Sequence, residues 1–254
     1  MHPASVPSTR PPRRPVVSVV VPVRDDAVHL DACLRLLAAQ TRPPDEVVVV
    51  DNASSDASVR VARGHGARVV AEPRVGIPAA AAAGYDAARG DVLLRLDADS
   101  RPAPDWVERA LATLADPRVD AVTGHGVFDL PGRRGVRLAR AYLGAYYALG
   151  HLAAGHPVLW GSSMAFRASV WRAARPRVTR TGDVHDDLDL ALAIGPGARV
   201  VVDPGWSVGM SARAVRPGRQ WVPRVRRALT TLTRHWRHAP PWERWLHHRR
   251  PTSA

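Results

Sequence analysis

The chain has 254 residues, of which 46% are hydrophobic and 23% are charged, an ordinary composition for a folded domain that excludes wholesale disorder. Its 36 basic residues, all of them Arg, outnumber 23 acidic ones, and the formal net charge of +13 favours an anionic partner such as a phosphate-bearing ligand or an acidic lipid. The single cysteine, Cys33, excludes an internal disulfide framework and a multi-cysteine zinc site, and it indicates a reducing compartment.

The opening segment, 1–15, is rich in Pro and Arg and contains no apolar run. A secretory signal needs an apolar stretch behind its basic residues, so this segment predicts a disordered basic arm instead. Nowhere does the sequence contain the roughly 18–20 uninterrupted apolar residues that a membrane-spanning helix requires. These features predict a cytoplasmic protein, with a peripheral position on the inner face of the cell membrane left open.

The first hundred residues alternate between two hydrophobic patterns. Near-continuous apolar runs, typical of strands buried on both faces of a parallel sheet, occupy 16–23, 46–51, 67–71 and 91–96. Three helices are predicted between these runs, at 28–39, just after the turn at 51–56, and at 77–88. The evidence for them is helical spacing of apolar residues or residue types that open helices. This β-α-β-α-β-α-β order predicts an α/β fold with a Rossmann-like, doubly wound sheet of mostly parallel strands.

Four carboxylates fall just beyond the ends of predicted strands: Asp25, Asp51, Asp97 and Asp99. In doubly wound sheets, ligands bind beyond the carboxyl ends of the strands. Carboxylates gathered at one edge repel one another unless a metal ion or a cluster of hydrogen-bond donors lies among them. The pattern therefore predicts a polar ligand site at this edge of the sheet.

The second half of the chain is less regular. Strands are predicted at 119–124 and 199–202, helices at 137–150 and 186–194, a loop entering a strand at 161–166, and a mobile loop at 175–183. From Gln220 onward, apolar residues recur at helical spacing with Arg between them, which predicts an amphipathic helix.

Five segments occur in an order and at spacings that resemble a known enzyme family: VSVVVPVRDD, AAQTRPPDEVVVVDNASSD, LLRLDADS, GSSMAFRASVW and VHDDLDLALAI. Together they are similar to the inverting glycosyltransferase family 2, whose members have the GT-A fold, and the resemblance covers about 16–213. It implies a catalytic domain at 16–215, with a nucleotide-binding half at 16–100 and an acceptor half at 101–215. It also implies metal-dependent transfer of a sugar from a nucleotide-diphosphate donor to a hydroxyl acceptor, with inversion of the anomeric centre.

The Asp97-Ala98-Asp99 motif follows a predicted buried strand, so both carboxylates can point to one side. Mn²⁺ and Mg²⁺ both accept hard oxygen ligands and bridge phosphate oxygens, and the sequence favours neither metal. By resemblance, Asp99 is the direct metal ligand, and Asp97 contacts either the nucleotide ribose or the metal. The alternative is an acidic turn in which Ser100 caps the next helix.

The resemblance places the nucleotide base near the ends of the first two predicted strands. It implies that the Asp51 carboxylate accepts hydrogen bonds from the base and that Asp25 belongs to the same pocket. Pro22 and Val23 would supply backbone contacts beside it. The alternative is that these carboxylates only start turns.

The acidic cluster near 183–189 contains the Asp186-Asp187 pair. By resemblance, Asp187 is the general base that takes the proton from the acceptor hydroxyl, with Asp186 as its neighbour. Close carboxylates raise one another's pKa, which helps a base to work near neutral pH. Trp160, Gly161 and Ser162 would line the sugar or acceptor side. The alternative for the cluster is a helix N-terminus decorated with acids, which the helix dipole favours.

The diphosphate is expected to contact Arg213, which lies where family members place a basic residue. Many members also carry an Arg-Asn pair in the helix before the fourth strand, whereas this chain has the apolar segment 79–84 there. Arg74 is our candidate to hold the diphosphate in its place. The departure leaves the donor's identity open.

The tail at 216–254 holds ten Arg, one acidic residue and four Trp. A basic helix with Trp on its apolar side can lie on an anionic membrane surface, which would suit a lipid-linked acceptor. Equally, it can pack its apolar stripe on the domain. No membrane spans follow and the motif of processive members is only faintly present, so we predict a single transfer. Nothing resembles a nucleic-acid-binding module, and we expect no nucleic acid partner.

Two other functions remain open. One is a catalytically degenerate protein that binds a nucleotide sugar or a membrane lipid, which the missing Arg-Asn pair favours. The other is a nucleotidyltransferase, which shares a similar nucleotide-binding half. The acidic pair far downstream favours sugar transfer over nucleotidyl transfer, and the intact Asp97, Asp99 and Asp187 argue against a degenerate protein.

Overall fold

A computed structural model of the protein describes residues 13–128, 132–210 and 221–248. Its strands are β1 Val17–Val23, β2 Glu46–Asp51, β3 Arg68–Ala71, β4 Val92–Arg95, β5 Ser100–Pro102, β6 Ala121–Phe128, β7 Met164–Arg167 and β8 Val200–Met210. Its helices are α1 Ala27–Ala38, α2 Ser58–Gly64, α3 Ile77–Ala87, α4 Trp106–Leu114, α5 Gly132–Ala154, α6 Ala168–Ala174, α7 Asp186–Ile194, α8 Trp221–Trp236 and α9 Pro241–His248.

Within the described residues the strands form one sheet, in the order β3-β2-β1-β4-β7-β6-β8-β5. The first four strands are parallel to one another, with Val19 opposite Val47 and Val17 opposite Val92. β7 runs antiparallel between β4 and β6, and β5 runs antiparallel to β8. β6 and β8 are parallel. The predicted α/β fold with a mostly parallel sheet is confirmed.

The two faces of the sheet carry separate hydrophobic cores. On one face, Val19 and Val21 pack with α1, α2 and α4. On the other, Val20, Val48 and Val50 pack with α3, α6 and α7. Because successive side chains of a strand point to opposite faces, an unbroken run of Val supplies both cores at once. This three-layer arrangement brings the carboxyl ends of β1, β2 and β4 to one edge.

The second half differs from the sequence-based prediction in several places. Helices α4 and α6 and strand β5 were not predicted, and β8 extends to Met210 where the prediction stops at residue 202. Within β8, the segment Asp203-Pro204-Gly205 has the composition of a turn. The register between β6 and β8 shifts at this segment, between Thr123 and His125 of β6, and the two strands pair again beyond the shift. A bulge thus absorbs residues that would otherwise end the strand.

The tail helices pack on the rest of the protein through buried polar contacts. His235 of α8 is buried, and its Nε2 lies 2.8 Å from Asp189 Oδ1 in α7. The backbone N–H of His185 donates to Thr231 Oγ1 at 3.0 Å, which ties the start of α7 to the middle of α8. In α9, the Arg244 guanidinium donates to backbone carbonyls of residues 192 and 239.

Among the helices of the described segments, none combines the length and the apolar character needed to cross a bilayer.

Candidate active site

Two adjoining cavities open where the carboxyl ends of β1, β2 and β4 meet α7 and α8. The first, of about 380 Å³, lies beside the ends of β1 and β4 and is lined in part by Pro22, Val23, Asp97 and Asp99. The second, of about 610 Å³, reaches α7 and is lined in part by Tyr146, Trp160, Gly161, Ser162, Asp186 and Asp187. They share Asp97, Asn52 and Met210. A single elongated ligand can therefore contact both.

A buried arginine joins the two predicted acidic motifs. Arg95, at the end of β4, is only 2% exposed, and its Nη2 donates to Asp97 Oδ1 at 2.9 Å. Its Nη1 donates to Asp186 Oδ2, across 91 positions of sequence. A guanidinium is the side chain best suited to bridge two carboxylates, because its donors lie in one rigid plane. Arg95 thus supplies the positive charge that the clustered carboxylates require.

The neighbouring carboxylate, Asp187, faces the cavity through a different set of contacts. The backbone N–H of Gly161 donates to Asp187 Oδ2 at 3.1 Å, and that of Leu188 donates to Oδ1 at 2.8 Å. Gly161 lies against the Arg95 guanidinium so closely that a Cβ atom there would overlap it. A side chain at this position would therefore displace the guanidinium. Asp187 keeps lone pairs on both oxygens that these two hydrogen bonds do not use.

The environment of Asp186 predicts an unusual pH dependence of stability. Burial raises its pKa from an ordinary value of 3.8 to about 6, although the Arg95 guanidinium opposes the rise. Between these values the folded state binds more protons than the unfolded state, so the contribution of Asp186 to stability is fully present below about pH 4 and is lost as the pH rises through about 6. We expect the midpoint difference between the wild type and Asp186→Asn to change over this window in thermal unfolding. A difference that is the same at every pH would contradict this prediction.

Two carboxylates predicted to contact the nucleotide base lie beside the first cavity rather than in its wall. Asp51 Oδ1 accepts the backbone N–H of Ser54 at 3.1 Å. Asp25 Oδ1 accepts the N–H of Ser55 at 2.6 Å and its hydroxyl at 3.0 Å, and these hydrogen bonds hold the pKa of Asp25 below its ordinary value. Among described residues the wall at this point is formed by Asp26 and Asn52, the next residue along in each case. Both predicted contacts stay predictions.

Asn52 was missed by the sequence analysis and organises one wall of both cavities. It is buried, and its Nδ2 donates to the carbonyls of Glu72 at 2.9 Å and Arg74 at 2.8 Å. Its Oδ1 accepts the N–H of Gly76 at 2.7 Å. These three hydrogen bonds hold the loop between β3 and α3 against the end of β2. Gly76, at φ +141°, adopts a backbone conformation that side chains disfavour.

The acidic motif after β4 fits a divalent cation. Asp97 and Asp99 both line the first cavity, and Asp97 Oδ2 also accepts the Ser162 hydroxyl at 2.5 Å. The residues that the structure describes contain no cluster of three or more His, Cys, Asp or Glu suited to a metal. Mg²⁺ is usually held by one or two carboxylates together with substrate phosphates and water. Two carboxylates in an open cavity match that pattern.

Three arginines line the cavities opposite the carboxylates. Arg24, after β1, and Arg224, in α8, line both cavities, and Arg227 lines the larger one. The predicted diphosphate ligand Arg74 is outside the lining of both cavities. Its exposed guanidinium donates to both carboxylate oxygens of Glu72, each at 2.9 Å. Arg213, the other candidate, lies outside the described residues. The tail helix thus contributes positive charge to the site.

The larger cavity has an aromatic side as well as a charged one. Trp160 is half-buried, and Tyr146 beside it donates its hydroxyl to the Leu159 carbonyl at 3.0 Å. Burial raises the pKa of the Tyr146 hydroxyl well above its ordinary value, so the group stays protonated. A flat ring beside carboxylates and hydroxyls is a surface on which a sugar can stack.

Of the residues that sequence reasoning missed, only one carried a visible signal. Arg95 stands between leucines in a buried strand, LLRL, and a buried Arg requires carboxylate partners. Arg224 and Arg227 are among several tail arginines with no local feature that marks them. They line the cavities only because α8 packs on α7.

We expect His235→Ala to weaken the attachment of α8 to α7. Asp189 is fully buried and accepts the backbone N–H of Thr179 at 2.6 Å and its hydroxyl at 3.2 Å, as well as His235. Loss of one partner of a buried carboxylate costs about 1–3 kcal/mol of unfolding free energy. Urea denaturation measures this, with the exposed His238→Ala as the matched control. Equal stability of the two variants would show that the buried contact does not hold the helix.

The family model described as "Glycosyl transferase family 2" matches residues 18–173, more than half of the chain. Glycosyltransferase AglE of Haloferax volcanii is 34% identical over 125 residues, which are 46% of this chain and 41% of that protein. An undecaprenyl-phosphate 4-deoxy-4-formamido-L-arabinose transferase of Pseudomonas fluorescens is 36% identical over 107 residues, 38% of this chain and 31% of that protein. The chain matches less than half the length of these relatives.

Among solved structures, a mannosyltransferase of Pyrobaculum calidifontis, PcManGT, in complex with GDP-Man and Mn²⁺, resembles this fold. Its TM-score is 0.68 at 27% identity, over 93% of this chain and 69% of that chain. The likeness covers more of this chain than the family match does.

Proposed function

The chain belongs to glycosyltransferase family 2, and from that premise we propose that it moves a sugar from a nucleotide-diphosphate donor to a hydroxyl acceptor with inversion. The main support for this proposal is the position of two acidic motifs. Asp97 and Asp99 line the smaller cavity, and the Asp186-Asp187 pair lines the larger cavity that adjoins it. One motif suits a nucleotide diphosphate and the other suits deprotonation of an acceptor. Sugar transfer needs both within the length of one donor.

The donor is proposed to enter through the smaller cavity. Pro22 and Val23 line the end expected to hold the nucleoside, while Asp97 and Asp99 line the same space. Arg24 and Arg224 face the region between the two cavities, where a diphosphate joining nucleoside and sugar would lie. Two guanidinium groups there would offset the charge that develops on the leaving diphosphate.

A divalent cation, Mn²⁺ or Mg²⁺, is proposed to bind at Asp99, with Asp97 alongside. When bound, such a cation neutralises phosphate charge and stabilises the departing diphosphate. Asp97 is already oriented by Arg95 and Ser162. This arrangement favours Asp99 as the direct ligand and leaves Asp97 to contact ribose or metal. PcManGT was determined with Mn²⁺ and GDP-Man, which supports including both in a test.

Asp187 is proposed as the general base. The Asp186 carboxylate is engaged by Arg95, whereas Asp187 accepts the backbone N–H groups of Gly161 and Leu188 and has the Tyr146 hydroxyl beside it. A carboxylate in this position can take the proton of an acceptor hydroxyl as its oxygen bonds to the anomeric carbon and the bond to the diphosphate breaks. A single displacement of this kind inverts the anomeric centre. Trp160 would hold the sugar or the acceptor by stacking.

The acceptor is proposed to be a hydroxyl compound entering the larger cavity beside α7. The name of the Pseudomonas fluorescens relative includes undecaprenyl phosphate, so lipid-linked acceptors belong in any screen. The transfer would be a single one.

The proposal is tested by thermal unfolding with UDP, GDP, dTDP and their sugars, each with and without Mn²⁺. A ligand at 100 times its dissociation constant stabilises the folded state by about 2.7 kcal/mol, which is about 5–10 °C for a protein of this size. We expect one nucleotide series to raise the midpoint only with metal, and Asp99→Ala to abolish the rise. Asp105→Ala, an exposed residue at the start of α4, is the control. No shift with any nucleotide would contradict the proposal and favour the degenerate protein that binds a membrane lipid.

A further inference from the structure

Helix α8 carries an apolar stripe on the side that does not pack on α7. Val222, Val225 and Leu229 follow one another at spacings of three and four residues, and each is more than half exposed. They line a shallow groove of about 560 Å³ together with Arg226. Three large apolar side chains exposed in a row are unusual on a soluble surface and mark an interaction site.

A second set of exposed apolar side chains lies on α5 and α9. Leu149 and Leu152, near the end of α5, are each more than half exposed. In α9, Trp242 and Leu246 are exposed at a spacing of four residues, which puts them on one side of that helix. Neither pair belongs to the lining of the two cavities described above.

Two tryptophans connect these helices at one point. The indole N–H of Trp236, at the end of α8, donates to the Ala153 carbonyl at 3.1 Å. The indole N–H of Trp245, in α9, donates to the Leu152 carbonyl at 3.0 Å. Because Leu152 and Ala153 are consecutive residues of α5, the three helices meet there. We call the exposed apolar residues of α5, α8 and α9 the three-helix apolar surface.

The charge of the tail helices around this surface is predominantly positive. Between residues 221 and 248 there are six Arg and a single acidic residue, Glu243. Arg226 lines the same groove as the stripe, and Arg234 and Arg237 are exposed further along. Basic groups beside exposed Val, Leu and Trp match the interface of an anionic membrane, where apolar side chains enter the acyl boundary and arginines meet phosphates.

We propose that the three-helix apolar surface docks on an anionic lipid membrane. Charge complementarity selects this occupant over a second copy of the chain, because a copy would bring the same positive tail and a further +13 of formal charge. On the opposite flank of α8, Arg224 and Arg227 line the cavities, so a docked helix holds the cavity mouth near the lipid surface.

Vesicle co-sedimentation of the full chain tests the proposal, without donor or acceptor, so that the outcome is independent of the proposed enzymatic function. We expect the wild type to bind vesicles of phosphatidylglycerol and phosphatidylcholine about tenfold more strongly than pure phosphatidylcholine vesicles, and binding to fall as salt rises. The double variant Val225→Asp/Leu229→Asp and the separate variant Leu149→Asp/Leu152→Asp should each lose most of this binding. Equal binding to both vesicle types would overturn the proposal.

The matched control is Val28→Asp, since Val28 is exposed on α1 and lies outside the surface. It should bind like the wild type, and unchanged thermal midpoints should show that all variants fold. Retained binding in either double variant would overturn the claim that the residues of α5 and α8 form one docking surface. Sedimentation velocity without lipid should find a monomer, and a dimer that both double variants abolish would show that a second copy covers the face.

Discussion

Asp187→Asn is expected to lower kcat for sugar transfer by about 10²–10⁴-fold, the usual contribution of a general base. The amide cannot take the proton of the acceptor hydroxyl, but it keeps the size of the carboxylate. Because Asp187 accepts the N–H groups of Gly161 and Leu188, the amide loses one of these hydrogen bonds, at a cost of about 1 kcal/mol. The variant should therefore fold and bind the nucleotide sugar, and turnover alone should collapse. Turnover assays combined with donor titration measure both quantities.

Asp183→Asn is the control for this prediction. Asp183 is exposed, its carboxylate accepts the Thr181 hydroxyl, and it lies outside the lining of the two main cavities. Normal turnover in this variant would show that loss of a nearby negative charge is not the cause. Should Asp187→Asn stay active while Asp186→Asn is dead, the base is Asp186.

Arg95→Met is expected to lower the free energy of unfolding by about 3–5 kcal/mol, the usual cost of removing one partner of a buried ion pair. Met resembles the arginine stem in shape but leaves the carboxylates of Asp97 and Asp186 without their shared cation. For a protein of this size, 1 kcal/mol corresponds to about 2–4 °C, so the thermal midpoint should fall by roughly 6–20 °C. Calorimetry or circular dichroism measures the shift.

The comparison variant is Arg118→Met, which removes the exposed ion pair with Asp116. Exposed pairs contribute about 0–1 kcal/mol, so its midpoint should hardly move. The double variant Arg95→Met/Asp186→Asn should recover part of the loss, because the neutral amide no longer needs the guanidinium. A loss in Arg95→Met no larger than in Arg118→Met would contradict the bridging role.

The first hundred residues could be predicted from sequence because their signals are local. Runs such as VVSVVVPV show a buried parallel strand directly, and the turn residues after each run place the carboxylates at one edge. The position of Asp97 and Asp99 in a shared cavity follows from that order alone. Their role toward metal and nucleotide stays a prediction.

The second half of the chain was harder to predict because the contacts that determine its structure join residues distant in sequence. The turn-like Asp203-Pro204-Gly205 lies inside β8, and only the pairing with β6 and β5 keeps the strand together beyond it. Likewise, Arg224 reaches the cavity because His235 is held by Asp189, 46 residues away. No local propensity records such a contact, since tertiary packing decides it.

The pairing of β4 with β7 has a consequence for synthesis on the ribosome. β4 ends at Arg95 and β7 begins at Met164, about 70 residues later. At usual translation speeds, β7 is therefore synthesised roughly 4–14 s after β4. During that interval β4 is the open edge of the β3-β2-β1-β4 sheet, which invites aggregation with other nascent chains. Arg95 places a charge in that edge, and charged residues of this kind block strand addition. We therefore expect the arginine that bridges two carboxylates in the folded protein to protect the unfinished sheet from strand addition first.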